Sequence, residues 1–384
     1  MKRLIYITIL SILLPLGCSK PSPAPAPAPE QYDRYIFFSH GVETKAELVE
    51  DAAGLNEKSF GVVGFKYDFY DKDGNEVFWK DHKNTNPTPN VFYDEVVNSE
   101  GTSTYDITPV ETVRVTAGAD GTNTTVGVGS YTPLQGWSNS KKYSFFAYYP
   151  VGNQYVSLVN LDEESKYNPG VPVIKYTMDP SSGDNFTASM WDVMTATAHE
   201  DLYWKSVSEK SESTSANGEV RFSFNHCLSC IGLNLKNSTA GGITVNSVTF
   251  HLSGIQYQSI TIPLDGSTRN SEGPAVDIDC ALQVGDGGIA VPSVSTDSKG
   301  VEVPDKLILI PQTSALGFTV TVGYTRTLDS YEPIQTSFTT ASVSTALTEG
   351  KKHIVSLNFT DSTVDVGMTS GAWVDIPTVE DTFN

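Results

Sequence analysis

Apolar and polar residues alternate with a period of two along much of the chain, the pattern of strands with one buried and one wetter face. The clearest run is Val220 to Leu235. Val220, Phe222, Phe224, His226 and Leu228 alternate with Arg221, Ser223, Asn225 and Cys227, and the apolar positions then move to Ile231, Leu233 and Leu235. In a straight strand that change of parity would turn three large side chains to water. The pattern therefore predicts a one-residue bulge near Ser229 or Cys230 that keeps both halves on one core, and makes the run the leading strand of a second β-sandwich.

Similar runs precede and follow it. Tyr35 to Ser39, Phe60 to Tyr67, Tyr143 to Pro150, Pro172 to Tyr176 and Trp191 to Ala196 read as strands of a first half. Ile243 to Leu252, Ile260 to Ile262, Lys306 to Gln312, Phe318 to Tyr324, Ile354 to Phe359 and Val364 to Met368 read as strands of a second. Turn residues recur between them and long Ala/Leu/Glu/Lys stretches are missing, so the expected class is all-β with few short helices. Lys205 to Asn217 has no apolar periodicity. It divides the chain into an N-terminal sandwich over 32–205, a linker over 206–217 and a C-terminal sandwich over 218–384.

The first residues are an address rather than a fold. Met1-Lys2-Arg3 followed by the apolar run Leu4 to Leu16 predicts a secretory signal over 1–17, too short to span a bilayer. The run ends in Leu14-Pro15-Leu16-Gly17-Cys18, which resembles a bacterial lipobox with Pro15 where leucine is usual, and marks Cys18 as the lipidation site. Residues 18–31 then form a Pro/Ala-rich spacer of extended polyproline type.

Charge and motifs exclude more than they assign. A formal net charge of −20 with no basic stripe repels a phosphate backbone, so nucleic acid is not an expected partner. Asp71-Lys72-Asp73-Gly74-Asn75 places Glu76 where a calcium loop needs glycine, and reads as a tight turn. Cys227 and Cys230 have the CxxC spacing but lie in a strand, whereas redox pairs sit at a helix N-terminus; buried thiols, with or without a bridge from Cys280, are the expectation. His199-Glu200-Asp201 is not a zinc-protease motif, and neither a nucleophile elbow nor a phosphate loop is present. No metal, cofactor or enzymatic activity is expected.

Several stretches, taken in order, resemble the fimbrillin family, the type V pilins of Bacteroidales and related lipoproteins. They are Thr44-Lys45-Ala46, Phe60 to Lys66, Tyr143 to Pro150, Asp192-Val193-Met194, Phe224-Asn225-His226-Cys227-Leu228, Ile310-Pro311-Gln312 and Gly350-Lys351-Lys352. The resemblance implies two tandem transthyretin-like sandwiches, an outer-membrane lipoprotein at the cell surface, and assembly into a fimbria by strand exchange with other subunits. By position, Tyr35, Ile36, Phe37 and Phe38 would belong to the strand that a protease removes. Arg34, Lys45 and Lys58 are the candidate cutting points; only Lys45 and Lys58 follow that strand. Val364, Val366, Met368, Trp373, Val374 and Ile376 would form the donor that fills a neighbour's groove, or simply the last strand of their own sandwich. Adhesion further implies host or bacterial surface ligands. The competing expectation is a monomeric surface lipoprotein that binds a ligand or glycan, with the aromatic run Tyr143 to Tyr149 as a stacking platform instead of core.

Overall fold

A computed structural model describes residues 35–42, 58–97, 103–107, 110–116, 127–159, 170–204, 218–293, 299–328 and 331–373. Among them the chain is nearly all β, with two short α-helices, Trp79–His82 and Gly183–Ser189. Aromatic and β-branched composition does what it should in a sheet protein.

The main sheet of the first half differs from the expected sandwich. Seven strands close on themselves in the order Phe37–Val42, Gly127–Ser130, Glu111–Thr116, Ser59–Asp68, Lys141–Tyr149, Met194–Ala196, Glu219–His226, and the last pairs back onto the first. Inward side chains fill this ring: Ile36, Phe38, Phe60, Val62, Phe145 and Phe222 are among its buried core. Large aromatic rings occupy the space that a facing sheet would otherwise have to cover, which is why closure suffices.

The second half has two main sheets around one larger core. Ser229–Asn237 runs parallel to Lys351–Phe359, and Val364–Ala372, hereafter the closing strand, pairs antiparallel on the latter's far side as the edge of its sheet. Gly242–Ile255 is flanked by Val276–Leu282 and Leu316–Thr327. Leu233, Leu235, Val355 and Leu357 from the first sheet share a core with Val248, Phe250, Val320 and Val322 from the second. A further small sheet pairs Val173–Thr177 of the first half with Ser259–Pro263 of the second.

The two cores share two walls. On Ser59–Asp68, Phe60 and Val62 face the ring interior while Val63, Phe65 and Tyr67 belong to the larger core; on Lys141–Tyr149, Phe145 and Ala147 face inward while Phe146 and Tyr148 face the larger core. Both strands are therefore buried on both faces, as continuous apolar runs require. The aromatic run Tyr143 to Tyr149 is core, with no exposed stacking platform.

The run Val220 to Leu235 is not one bulged strand. It breaks at Cys227 and Leu228: Glu219–His226, the bridging strand, closes the ring, and Ser229–Asn237 opens the second sheet. Val220, Phe222 and Phe224 serve the ring core, whereas Leu228, Ile231, Leu233 and Leu235 serve the larger one. The parity changes because the core changes. The bridging strand lies beyond the linker expected over 206–217, a stretch outside the described residues, yet pairs with strands from the first half.

Candidate functional site

The site is built around Phe37–Val42, the entry strand. It lies between the bridging strand, parallel, with Phe37 opposite Glu219 and Val42 opposite Phe224, and Gly127–Ser130, antiparallel, with Phe38 opposite Gly129. Alternation decides the faces of its first residues and of the two residues that lead into it. Ile36 and Phe38 are fully buried in the ring, while Tyr35 and Phe37 point outward and remain 42% and 38% exposed. Burial of the two inward side chains contributes about 1.5–3 kcal/mol each.

Phe38 is the anchor. Its ring meets Tyr131, Phe145 and Phe222 at centroid distances of 5.5, 5.4 and 5.7 Å. Upstream, Ile36 N donates to Gln135 O at 2.8 Å and Ile36 O accepts from the Tyr131 hydroxyl at 2.9 Å. Desolvation holds that phenol well above its ordinary pKa, so it stays a donor. Gly129 allows the close approach: a Cβ there would lie 2.3 Å from Val113 Cγ1.

If this strand were absent, the ring would be left with two unpaired backbone edges and apolar sockets spaced two residues apart. An extended segment with matching alternation could fill them by strand addition. Lys58 is exposed one residue before Ser59–Asp68 begins, so a cut after it would leave that strand whole. Arg34 and Lys45, like Cys18, lie outside the described residues.

The candidate donor is paired within its own chain. Val364 faces Phe359 and Ala372 faces Lys351, an unbroken register of nine residues. Val364 is buried, Met368 half-buried and Val366 exposed. Trp373, just past the strand, is buried; Val374 and Ile376 fall outside the described residues. The outer side of this edge strand has no partner strand among the described residues.

Trp373 holds the feature that sequence reasoning missed. It stacks on His226 with ring centroids 4.2 Å apart and planes 10° apart, and His226 Nδ1 lies 2.8 Å from Asp192 Oδ1. Residues 192, 226 and 373 are distant in sequence, and only their apolar neighbours hinted at burial.

The remaining candidates are structural. Cys227, Cys230 and Cys280 are free and buried, without the Cys280 bridge, and burial raises all three thiol pKa values, to about 11 for Cys227 and about 12 for Cys280. Asp71 accepts from the backbone N–H groups of Asp73 and Asn75 at 2.9 and 2.8 Å, closing the tight turn its sequence suggested. His251 bonds Asp279 and Thr321 Oγ1, both at 2.8 Å, in nucleophile–base–carboxylate order. Thr321 is paired in the ladder on both sides, so its strand offers no free backbone donors for an oxyanion there. Among the described residues no cluster of three or more His, Cys, Asp or Glu side chains could hold a metal, and no helix is long and apolar enough to cross a membrane.

A sequence profile described as fimbrillin-like matches residues 90–373. Among solved structures, a fimbrial protein from Bacteroides vulgatus is similar with a TM-score of 0.56 at 19% identity, over 88% of this chain and 99% of that one. The tip fimbrial protein Mfa3 from Porphyromonas gingivalis, truncated at its C-terminus, aligns over 88% of this chain and 99% of that one with a TM-score of 0.34 at 8% identity. No curated protein sequence matches.

Proposed function

This chain belongs to the fimbrillin-like family, and from that premise we propose that it is a structural or adhesive subunit of a cell-surface fimbria, exported as a lipoprotein through Cys18 and assembled by strand exchange. The observation that carries this reading is the entry strand: a segment whose inward side chains are Ile36 and Phe38 occupies a slot between two strands, with an exposed lysine downstream of it. Removal after Lys58, or after Lys45, would open the slot. The closing strand and the residues after it are the candidate donor, their Val364–Val366–Met368 alternation supplying side chains at the spacing the sockets need.

In this reading the subunit keeps two β units of transthyretin-like descent, with the change of unit at Cys227 and Leu228, where the chain changes core. It works by packing and pairing and not by catalysis. The partners are other fimbrial subunits, the outer membrane through the lipid, and surface ligands of a host or another bacterium. A monomeric glycan-binding role has less support, since the aromatic run it would need is buried.

N-terminal sequencing of assembled material tests processing: a start at Ala46 or Ser59 supports it, and a chain still beginning at Cys18 opposes it. Protein trimmed at either lysine should form ladders that resist SDS. Trimmed protein that stays monomeric at high concentration would refute strand exchange.

A further inference from the structure

The bridging strand touches both elements that strand exchange would have to move. Along Glu219 to Phe224 it pairs with the entry strand, and Phe222 stacks on Phe38. At its last residue, His226, it carries Trp373. The His226 and Asp192 side chains are 1% and 3% exposed, and Trp373 is 2% exposed, so the stack is sealed from water. Its surroundings are tied on each side. Trp373 N donates to Gly350 O at 2.7 Å, Gly350 N donates to Leu228 O at 2.9 Å, and Cys227 N donates to Val193 O at 2.8 Å. Met194, two residues after Asp192, pairs with His226 in the ring.

We propose that the Trp373–His226–Asp192 stack is a clasp through which the entry strand and the C-terminal segment stabilise each other's position. Losing the entry strand frees one edge of the bridging strand over Glu219 to Phe224, loosens the ring against which His226 is held, and lets Trp373 leave. The closing strand then keeps its pairing with Lys351–Phe359 and the core packing of Val364 and Met368, but as an edge strand without its terminal anchor it can peel from that end. Only the use of this release in assembly rests on the proposed function; the coupling itself is a property of the single chain. Because coupling between two sites is reciprocal, disturbing either end must be felt at the other.

Hydrogen–deuterium exchange on the monomeric, untrimmed protein tests it. Trp373→Ala should speed exchange about tenfold or more, as coupled sites typically show, in the bridging and entry strands as well as in Val364–Ala372. Phe38→Leu, which keeps an apolar side chain, should speed exchange in Val364–Ala372. Trp373→Phe retains a flat ring on His226 and should restore most of the protection, which separates the stack from a general loss of folding. The proposal is overturned if Trp373→Ala loosens the closing strand alone, or if Phe38→Leu leaves that strand as protected as in the wild type. Failure to form ladders after trimming would count against strand exchange and would leave these exchange results unaffected.

Discussion

The ring of Phe38 lies across from that of Phe222, 5.7 Å between centroids and 20° from parallel, joining the first described strand to one near the middle of the chain. These strands run parallel and adjacent, and their pairing is the one that closes the ring.

Truncating Phe38 to alanine should cost about 3–5 kcal/mol, the range for emptying a large aromatic site in a core. The neighbouring Phe37→Ala, on the outward face, should stay within about 0.5 kcal/mol, as surface changes usually do. Urea denaturation of both variants gives the comparison. Equal losses would mean that the strand does not alternate as described.

Gly129→Ala should destabilise by about 1–3 kcal/mol through overpacking, since its Cβ would sit 2.3 Å from Val113 Cγ1 and 3.1 Å from Phe38 O. Adding Val113→Ala should recover part of that loss beyond what the two single changes sum to, which a double-mutant cycle measures. Gly287→Ala, where a Cβ meets nothing within 4 Å, is the control and should change little.

The three cysteines of the folded body should resist a thiol reagent near pH 8 and react together on unfolding. Burial suppresses the thiolate, with pKa values pushed to about 11 at Cys227 and about 12 at Cys280. A thiol count in denaturant that finds Cys227, Cys230 and Cys280 all reactive excludes a bridge among them. Rapid labelling of the native protein would contradict the buried placement.

His353 makes the closing strand sensitive to acid. Its Nδ1 lies 2.7 Å from Ser370 Oγ on that strand and 3.1 Å from Thr345 Oγ1, and burial, aided by the nearby Lys351 charge, lowers its pKa. The unfolded chain, with histidine near its ordinary value of about 6.5, therefore takes up the proton first as pH falls. Stability should be full above about pH 6.5 and decline as the pH drops through the lower folded value. Comparing urea midpoints at neutral and mildly acidic pH should show a smaller decline in His353→Gln. An unchanged decline would remove His353 from the account.

Local patterning was legible where apolar and polar residues alternate. Phe318, Val320 and Val322 alternate with partly exposed positions on Leu316–Thr327, as their sequence predicted, whereas Tyr35 to Phe38 are apolar throughout and only the structure turns Ile36 and Phe38 inward and Tyr35 and Phe37 out. The Asp71 turn was also readable, because a short carboxylate bonding backbone N–H groups two and four residues on is a local event.

Sequence alone specified the β class, the alternation along Leu316–Thr327, and a change of apolar parity between Phe224 and Ile231. What that change is depends on how the sheets pack. Period two says that a residue faces one side of a sheet, but not which core lies on that side, and here Phe224 and Ile231 face different ones. For the same reason the doubly buried strands Ser59–Asp68 and Lys141–Tyr149 show little period at all, and ring closure left no local mark. The Trp373–His226 stack was beyond reach altogether, since a contact between segments so far apart is set by how whole sheets pack and not by the residues beside either partner.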